Sequence, residues 1–356
     1  MGIANGRLSR MDLSICILTH SQPVLLPQCV AACISEIDKA QLTGEIIIVD
    51  NASEDAYPQR LGPLSPMIRV IRNEQNLSFS AGNNQAIRIG RGRYALILND
   101  DAILQEDSLK LMILALQSEP RIGAAAPKLL NPDGSVQSWA TNKRLPHLRG
   151  LACELLGVDQ RLRQNRWARD WLTLWRDPEK SAERDQVGGA CVLIRRQALD
   201  EVGLFDEAFY YEFEDTDLCY RLRKAGWRIL SVDNAHVIHH GSATFLRSWT
   251  ALDFSAAYFK SASYFFKKHS SPLRYFLARS TLGMAFFLRI SGRALRGIIR
   301  RRFTYEELTH KTHASLRLLR SILGVDAGRK GISGRKKQTA SPPHPQPLSP
   351  KGPREE

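Results

Sequence analysis

Residues 94–102 read YALILNDDA. A short apolar run of strand character goes straight into Asn99, Asp100 and Asp101. Two adjacent carboxylates at a buried strand end repel each other. The arrangement makes sense where something cationic relieves that repulsion, so its reading depends on what else reaches the same edge of the fold.

Working outward, LSICILT at 13–19 is an apolar run of strand length. A helix is expected from about Pro23 to Lys39, with Pro23 in its first turn and Cys29, Cys33 and Ile37 on one face. EIIIVD at 45–50 is continuous and β-branched, the pattern of a strand buried on both faces. MIRVIR at 67–72 is a third strand, residues 80–90 form a helix ending at Gly90, and Glu106 opens a helix with an acidic first turn that runs to Gln117. This alternation predicts an α/β fold with a mostly parallel central sheet and right-handed crossovers. Ligands of such sheets bind beyond the carboxyl ends of the strands. Thr19, Asp50 and Asp101 all stand at such ends.

After residue 120 the rhythm changes. NPDGS at 131–135 is a turn expected to join two antiparallel strands. Residues 141–185 are polar, rich in Arg and Trp, and show no periodicity. GGACVLIRR at 188–196 restores a strand, ALDEVG is a short helix closed by Gly203, and EDTDLCYRLRKAGW at 214–227 is a helix with acidic first and basic last turns. RILSVDNAHVIHHG then holds one or two short strands.

Charge is distributed unevenly. The 356 residues carry a formal +14, yet residues 255–356 hold 21 Lys and Arg against 5 Asp and Glu, leaving the body nearly neutral. A basic tail implies an anionic surface: membrane, nucleic acid or polyanionic polymer. Residues 284–303 can form an amphipathic helix with Arg289, Arg293, Arg296 and Arg300 on one broad face, a pattern that lies in a membrane interface. The expected organisation is a catalytic domain over 1–250, a basic helical region over 251–325 and a disordered tail over 326–356. Six cysteines without a CxxC pair read as reduced thiols. With no signal-like leader and no run of ~18 apolar residues, the expected location is cytoplasmic.

The first strand is followed by HSQPVLLP, which lacks glycine, so neither a dinucleotide fingerprint nor a Walker loop fits. Asp100 and Asp101 suit Mg²⁺ or Mn²⁺; a capped strand-end turn is the plain alternative. Asp50 and Asn51 either bond local backbone or accept the N3–H of a uracil or thymine ring. Gly82, Asn83 and Asn84 offer N–H groups to phosphate or sugar hydroxyls, or simply cap a helix. Glu212, Glu214, Asp215 and Asp217 crowd one helix start, where a carboxylate with a raised pKa serves as a general base. His239 and His240 become ligand candidates beside a metal and are otherwise structural.

In this order, SICILTH, EIIIVDNAS, NLSFSAGNN, LILNDDA, GGACVLIRR, GLFDEAFYYEFEDTDLCYRLRKAGW and VIHHGSAT resemble the family 2 glycosyltransferases of GT-A fold, particularly the rhamnosyltransferase-like bacterial members. The likeness covers about residues 12–245. It implies an inverting transfer of a sugar from a nucleotide-diphosphate donor to an acceptor hydroxyl. The basic tail adds the expectation of a glycan or lipid-linked acceptor at an anionic membrane surface rather than nucleic acid. The likeness implies that Thr19, Asp50 and Asn51 hold the nucleoside. It sets Arg72, Asn83, Asn84 and Gly189 near the base and diphosphate. It equates Asn99-Asp100-Asp101 with the family's D-x-D motif, with Asp101 on Mg²⁺ or Mn²⁺ and Asn99 in place of the first aspartate. It makes Asp215 the catalytic base, gives Glu214 a part in placing the acceptor, and assigns His239, or its neighbour His240, to the metal or pyrophosphate. Ser78 and Ala81 stand where the family carries glycines. Two other readings stay open: a nucleotidyltransferase acting on sugar phosphates, and a non-catalytic sugar-nucleotide-binding scaffold.

Overall fold

The computed structural model describes residues 11–54, 58–61, 65–137, 144–156, 158–162, 165, 167, 183–209, 212–241 and 251–299. The expected tail at 326–356 and the side chains of Arg289, Arg293, Arg296 and Arg300 lie outside what is described.

The first half builds the parallel core. β1 (Leu13–Thr19), α1 (Leu25–Lys39), β2 (Gly44–Asp50), β3 (Ile68–Arg72), α2 (Phe79–Ile89) and β4 (Tyr94–Asn99) follow one another, and the four strands lie side by side in the order β3-β2-β1-β4. Thr19 pairs with Asp50 and Leu18 with Asn99, so the strand ends that carry the polar residues fall level. β1, β2 and β4 are buried almost throughout because helices cover both faces, whereas the edge strand β3 carries Arg69 and Arg72. Ile15, Ile17, Ile46, Ile48, Leu96 and Leu98 face one core with α1; Cys16, Ile47, Val49, Ala95 and Ile97 face the other with α2. That division follows the two-residue period of a strand.

The second half extends the sheet with mixed polarity. β5 (Ala102–Leu104), α3 (Ser108–Ser118), β6 (Ile122–Leu130), α4 (Leu148–Leu156), the single turn α5 (Asp159–Leu162), β7 (Cys191–Arg195), α6 (Arg196–Val202), α7 (Glu214–Lys224) and β8 (Arg228–His239) complete it. β7 lies antiparallel between β4 and β6, β8 runs parallel to β6, and β5 closes the edge antiparallel to β8. The region expected to hold one or two short strands is thus one strand of 12 residues. Its register with β6 shifts between the Val232 and His236 pairings. The irregularity bends β8 so that its last residues meet β5, just past the Asn99–Asp101 turn.

α3 corrects a second expectation. It begins at Ser108, so Glu106 and Asp107 precede it rather than forming an acidic first turn. The carboxylate that caps it comes from α1 instead: Glu36 accepts from the backbone N–H groups of Asp107 (3.3 Å) and Leu109 (3.2 Å). Burial raises the Glu36 pKa, and these two bonds oppose that rise.

Two long helices follow, α8 (Ala251–His269) and α9 (Pro272–Ile299). The expected amphipathic helix therefore starts at Pro272, a residue suited to a first helical position. Phe259, Phe265 and Phe266 of α8 and Ala278, Leu282 and Ala285 of α9 make a third core with Leu151, Phe209 and Phe213. No helix among the described residues is long and apolar enough to cross a membrane.

Candidate active site

The β4 strand delivers Asn99, Asp100 and Asp101 to the level where β1 and β2 end. Asp100 turns back onto the sheet and accepts from Thr19 Oγ1 at 2.6 Å. Burial and the neighbouring Asp101 charge push its carboxyl up to about 7, against that hydrogen bond. Asp101 turns the other way: Oδ1 lies 3.2 Å from His239 Nε2. Both side chains are nearly buried, and Asn99 Nδ2 approaches the same ring nitrogen at 3.4 Å. The ring of His239 reaches Asp101, whereas His240 meets that residue through its backbone N–H, 3.0 Å from the Asp101 carbonyl.

Gln137 sets the chemistry of that ring. Its Nε2 donates to the His239 carbonyl at 2.5 Å, so its Oε1 is the acceptor for His239 Nδ1–H at 2.9 Å. With a proton held on Nδ1, Nε2 is the ring nitrogen that faces Asp101. Nothing in the pattern of the sequence marks Gln137. It is brought here by the NPDGS turn, where Gly134 takes φ 82° and Val136 bridges back to Leu130.

The set suits a divalent ion. A separation of 3.2 Å between a carboxylate oxygen and an imidazole nitrogen is close to the ~3 Å between neighbouring ligands on one octahedral ion with bonds of ~2.1 Å. Among the described residues no three His, Cys, Asp or Glu side chains converge to make a self-sufficient cage. Asp101 and His239 would therefore offer an ion two ligands, the incomplete protein set typical of ions that also bind substrate phosphates.

Beyond β2 the residues are tied to one another. Asp50 is fully buried; Oδ2 accepts from Gln59 Nε2 (2.7 Å) and Arg72 Nη1 (2.8 Å), and Oδ1 from the Ser53 N–H (2.9 Å). Burial alone would raise its pKa, but the Gln59 and Ser53 hydrogen bonds and the Arg72 charge outweigh it and hold the carboxyl below its usual range. Asn51 spends its side chain on Asn73, Asn76 and Leu77, so it shapes the loop ahead of α2. Asn84 reaches away from the strand ends, to Phe205 and Glu207. Asn83 donates to the Phe79 carbonyl, while its Oδ1 and the Ser80 Oγ are buried without a hydrogen-bond partner among the described residues. Gly82 packs on Leu18, with no room for a Cβ.

Asp215 enters from the other half of the molecule. The two residues before α7, Glu212 (φ 55°) and Phe213 (φ 72°), are both left-handed, a conformation costing about 1–3 kcal/mol at each non-glycine residue. Phe213 is clamped by Tyr258 (5.1 Å) and Phe265 (5.8 Å) of α8, which holds the turn in place. Asp215 Oδ2 then accepts from the Gly189 N–H at 3.1 Å and Oδ1 from the Thr216 N–H at 2.6 Å. A side chain at position 189 would press on the Phe79 ring. Beside it, burial and the Asp215 charge hold the half-buried Glu214 carboxyl well above its usual range. Asp217, about half a turn on, faces away from Asp215: it binds Arg221, Lys268 and His269 at 2.7–2.8 Å.

The two acidic centres share one short segment. Gly189 holds Asp215, and the carbonyl of the next residue, Ala190, accepts from the Asn99 N–H at 2.9 Å.

Comparisons with known proteins agree with this architecture. A family model described as glycosyl transferase family 2 matches residues 14–203. The N-acetylglucosaminyl-diphospho-decaprenol L-rhamnosyltransferase of Mycobacterium tuberculosis is 31% identical over 211 residues, covering 55% of this chain and 66% of the relative. The O-antigen biosynthesis protein RfbC of Myxococcus xanthus is 27% identical over 207 residues, covering 56% of this chain and 15% of its own length. This chain thus spans less than two thirds of those relatives. Among solved structures, the mannosyltransferase PcManGT of Pyrobaculum calidifontis, in complex with GDP-Man and Mn²⁺, superposes with a TM-score of 0.52 at 15% identity, over 90% of this chain and 89% of that one. At that identity the likeness carries the fold, which is the GT-A arrangement of a mixed α/β sheet with flanking helices. Since the family match covers more than half of its residues, and its strand ends bear the matching motifs, the chain belongs to glycosyl transferase family 2.

Proposed function

We propose that this chain moves a sugar from a nucleotide-diphosphate donor to a hydroxyl of a lipid-linked saccharide, with inversion at the anomeric carbon. The observation that carries the reading is the Gly189-Ala190 segment, which holds the Asp215 carboxylate with one residue and the Asn99–Asp101 strand end with the next. In this reading a base and a phosphate-binding centre, tied to neighbouring residues of one segment, serve the same donor sugar.

In this reading Asp50, with Arg72 beside it, faces the base of the nucleotide, and Thr19 shapes the floor under it. Asp101 and His239 would hold Mn²⁺ or Mg²⁺, and the ion would supply positive charge against the diphosphate leaving group. Asp215 takes the proton of the acceptor hydroxyl as its oxygen bonds to the anomeric carbon. The bond from that carbon to the phosphate oxygen breaks, and the electron pair leaves with the diphosphate. Glu214, whose carboxyl is held above its usual range by burial and the Asp215 charge, helps to place the acceptor.

The M. tuberculosis relative is named for L-rhamnose transfer to a decaprenyl-diphosphate sugar. Rhamnose and a polyprenyl-linked acceptor are therefore the first pair to try, at an anionic membrane surface on the cytoplasmic side. Family membership favours neither nucleotidyl transfer nor a non-catalytic scaffold. The test offers a panel of nucleotide sugars, with Mn²⁺ and a short-chain lipid-linked GlcNAc acceptor, to the purified protein. Release of nucleoside diphosphate with an inverted product is expected. Release of pyrophosphate, or donor binding without turnover on any acceptor, sinks the reading. Asp101→Ala should lose Mn²⁺-dependent donor binding by calorimetry.

A further inference from the structure

α9 has two apolar faces. Ala278, Leu282 and Ala285 point into the third core. On the other side, Leu273 (68% exposed), Phe276 (64%), Leu277 (49%), Met284 (61%), Phe287 (47%) and Leu288 (49%) point outward. They form two groups of three, 273–277 and 284–288, each at three- and four-residue spacing on the same side of the helix, with the exposed Ser280 and Thr281 between them. From Leu273 to Leu288 the two groups span about 23 Å along the helix. Scattered exposed apolar residues are ordinary, but two such groups aligned on one helix side, each with a phenylalanine, mark a docking surface.

The charge around it selects the occupant. From residue 254 to 305 the chain carries eleven Lys and Arg and not one Asp or Glu. Lys267, Arg274 and Arg279 lie on the described helices, and Lys267 and Arg274 are exposed. A second copy seated on this face would bring two such cationic stretches together. An anionic bilayer neutralises them and takes up the apolar side chains together. Position supports the same choice. α8 and α9 pack through Phe209 and Phe213, immediately before Glu214-Asp215, and Lys268 and His269 are bound to Asp217 of the base-bearing helix. The stripe therefore belongs to a helix pair anchored on the acceptor side of the cleft.

We infer that the outward stripe of α9, built on Leu273, Phe276, Leu277, Met284, Phe287 and Leu288, lies in the interface of an anionic lipid bilayer and brings the Asp215 side of the cleft to a membrane-borne acceptor. This rests on the proposed transfer to a lipid-linked hydroxyl, but its test is independent of that reaction.

The full chain is mixed with vesicles of phosphatidylcholine alone, or with a quarter phosphatidylglycerol, and pelleted. Binding to the anionic vesicles is expected, and Phe276→Ser/Leu277→Ser/Phe287→Ser should weaken it at least ~10-fold while Mn²⁺-dependent nucleotide binding and the melting temperature hold. Undiminished vesicle binding by that variant overturns the inference. Should the triple variant melt early, a second measurement decides. Met284→Cys, in a Cys153→Ser background, is labelled with a polarity-sensitive dye. A blue shift on adding anionic vesicles, absent with neutral ones, supports the assignment. A dye that stays in water on vesicles overturns it. So does one already blue-shifted without lipid, as a dimer or a folded-back tail would make it. If the stripe binds vesicles and no sugar moves, the transfer reading fails alone; if sugar moves to a soluble acceptor and the stripe ignores vesicles, this inference fails alone.

Discussion

The two acidic centres of the cleft are built in opposite ways. Asn99–Asp101 sits at the end of a strand buried among neighbours, level with β1 and β2, and its orientation comes from the sheet itself. Glu214–Asp215 sits on a left-handed turn at a helix start, and it is held by aromatic side chains of α8, some 50 residues further on. The first centre is a property of the α/β core. The second depends on a separate cluster that docks on that core. Donor binding and proton removal should therefore respond differently to damage, and four measurements probe the difference.

The largest effect is expected for Asp215→Asn. It removes the base while the Gly189 N–H keeps a partner, so kcat should fall by about 10³-fold, within the usual range for a general base, with nucleotide affinity unchanged by calorimetry. Retention of most turnover would move the base elsewhere, Glu214 being the next candidate.

Phe265→Ala tests the dependence on α8 directly. Phe265 is buried against Phe213 and Tyr220, and truncating such a ring costs roughly 3–5 kcal/mol. In the fraction that stays folded, kcat should drop while Mn²⁺ affinity holds. Equal loss of both would erase the contrast between the two centres.

Gln137→Leu probes the sheet-built centre. Losing the acceptor for His239 Nδ1–H should weaken Mn²⁺ by about 10- to 100-fold, read by electron paramagnetic resonance without any sugar present. An unchanged affinity would mean that β8 alone orients the ring.

The smallest effect concerns Asp217. Burial raises its pKa, but the His269, Lys268 and Arg221 contacts win and bring it down to about 2. A lowered folded-state pKa stabilises the protein above pH ~4 and loses that contribution as pH falls toward 2, a loss of roughly 2 kcal/mol. The melting-temperature gap between wild type and Asp217→Asn should be constant above pH 4 and narrow below it. A gap that does not change with pH would mean that Asp217 contributes nothing through its charge.

Much of the donor half was legible in the residues. The continuous β-branched run of β2 and the apolar run of β4 mean burial on both faces, and polar residues at their ends mean a shared edge. Less was legible where partners are remote. The acids Glu106 and Asp107 suggested a helix first turn, yet the cap on α3 is Glu36, because a buried carboxylate satisfies two N–H groups more fully than exposed local ones. Asp217 looked like part of a catalytic cluster of four acids. The structure gives it to Lys268 and His269, since a helix puts residues 215 and 217 on different faces.

The sequence by itself determined the parallel core, the strand-end acids and the family, because each follows from local periodicity and from motifs read along the chain. The tertiary structure alone decided that Gln137 turns His239 toward Asp101, that α8 secures the turn before Asp215, and that one side of α9 is left uncovered. Those outcomes depend on which distant side chains fill a cavity or satisfy a buried donor, and no local pattern encodes that choice.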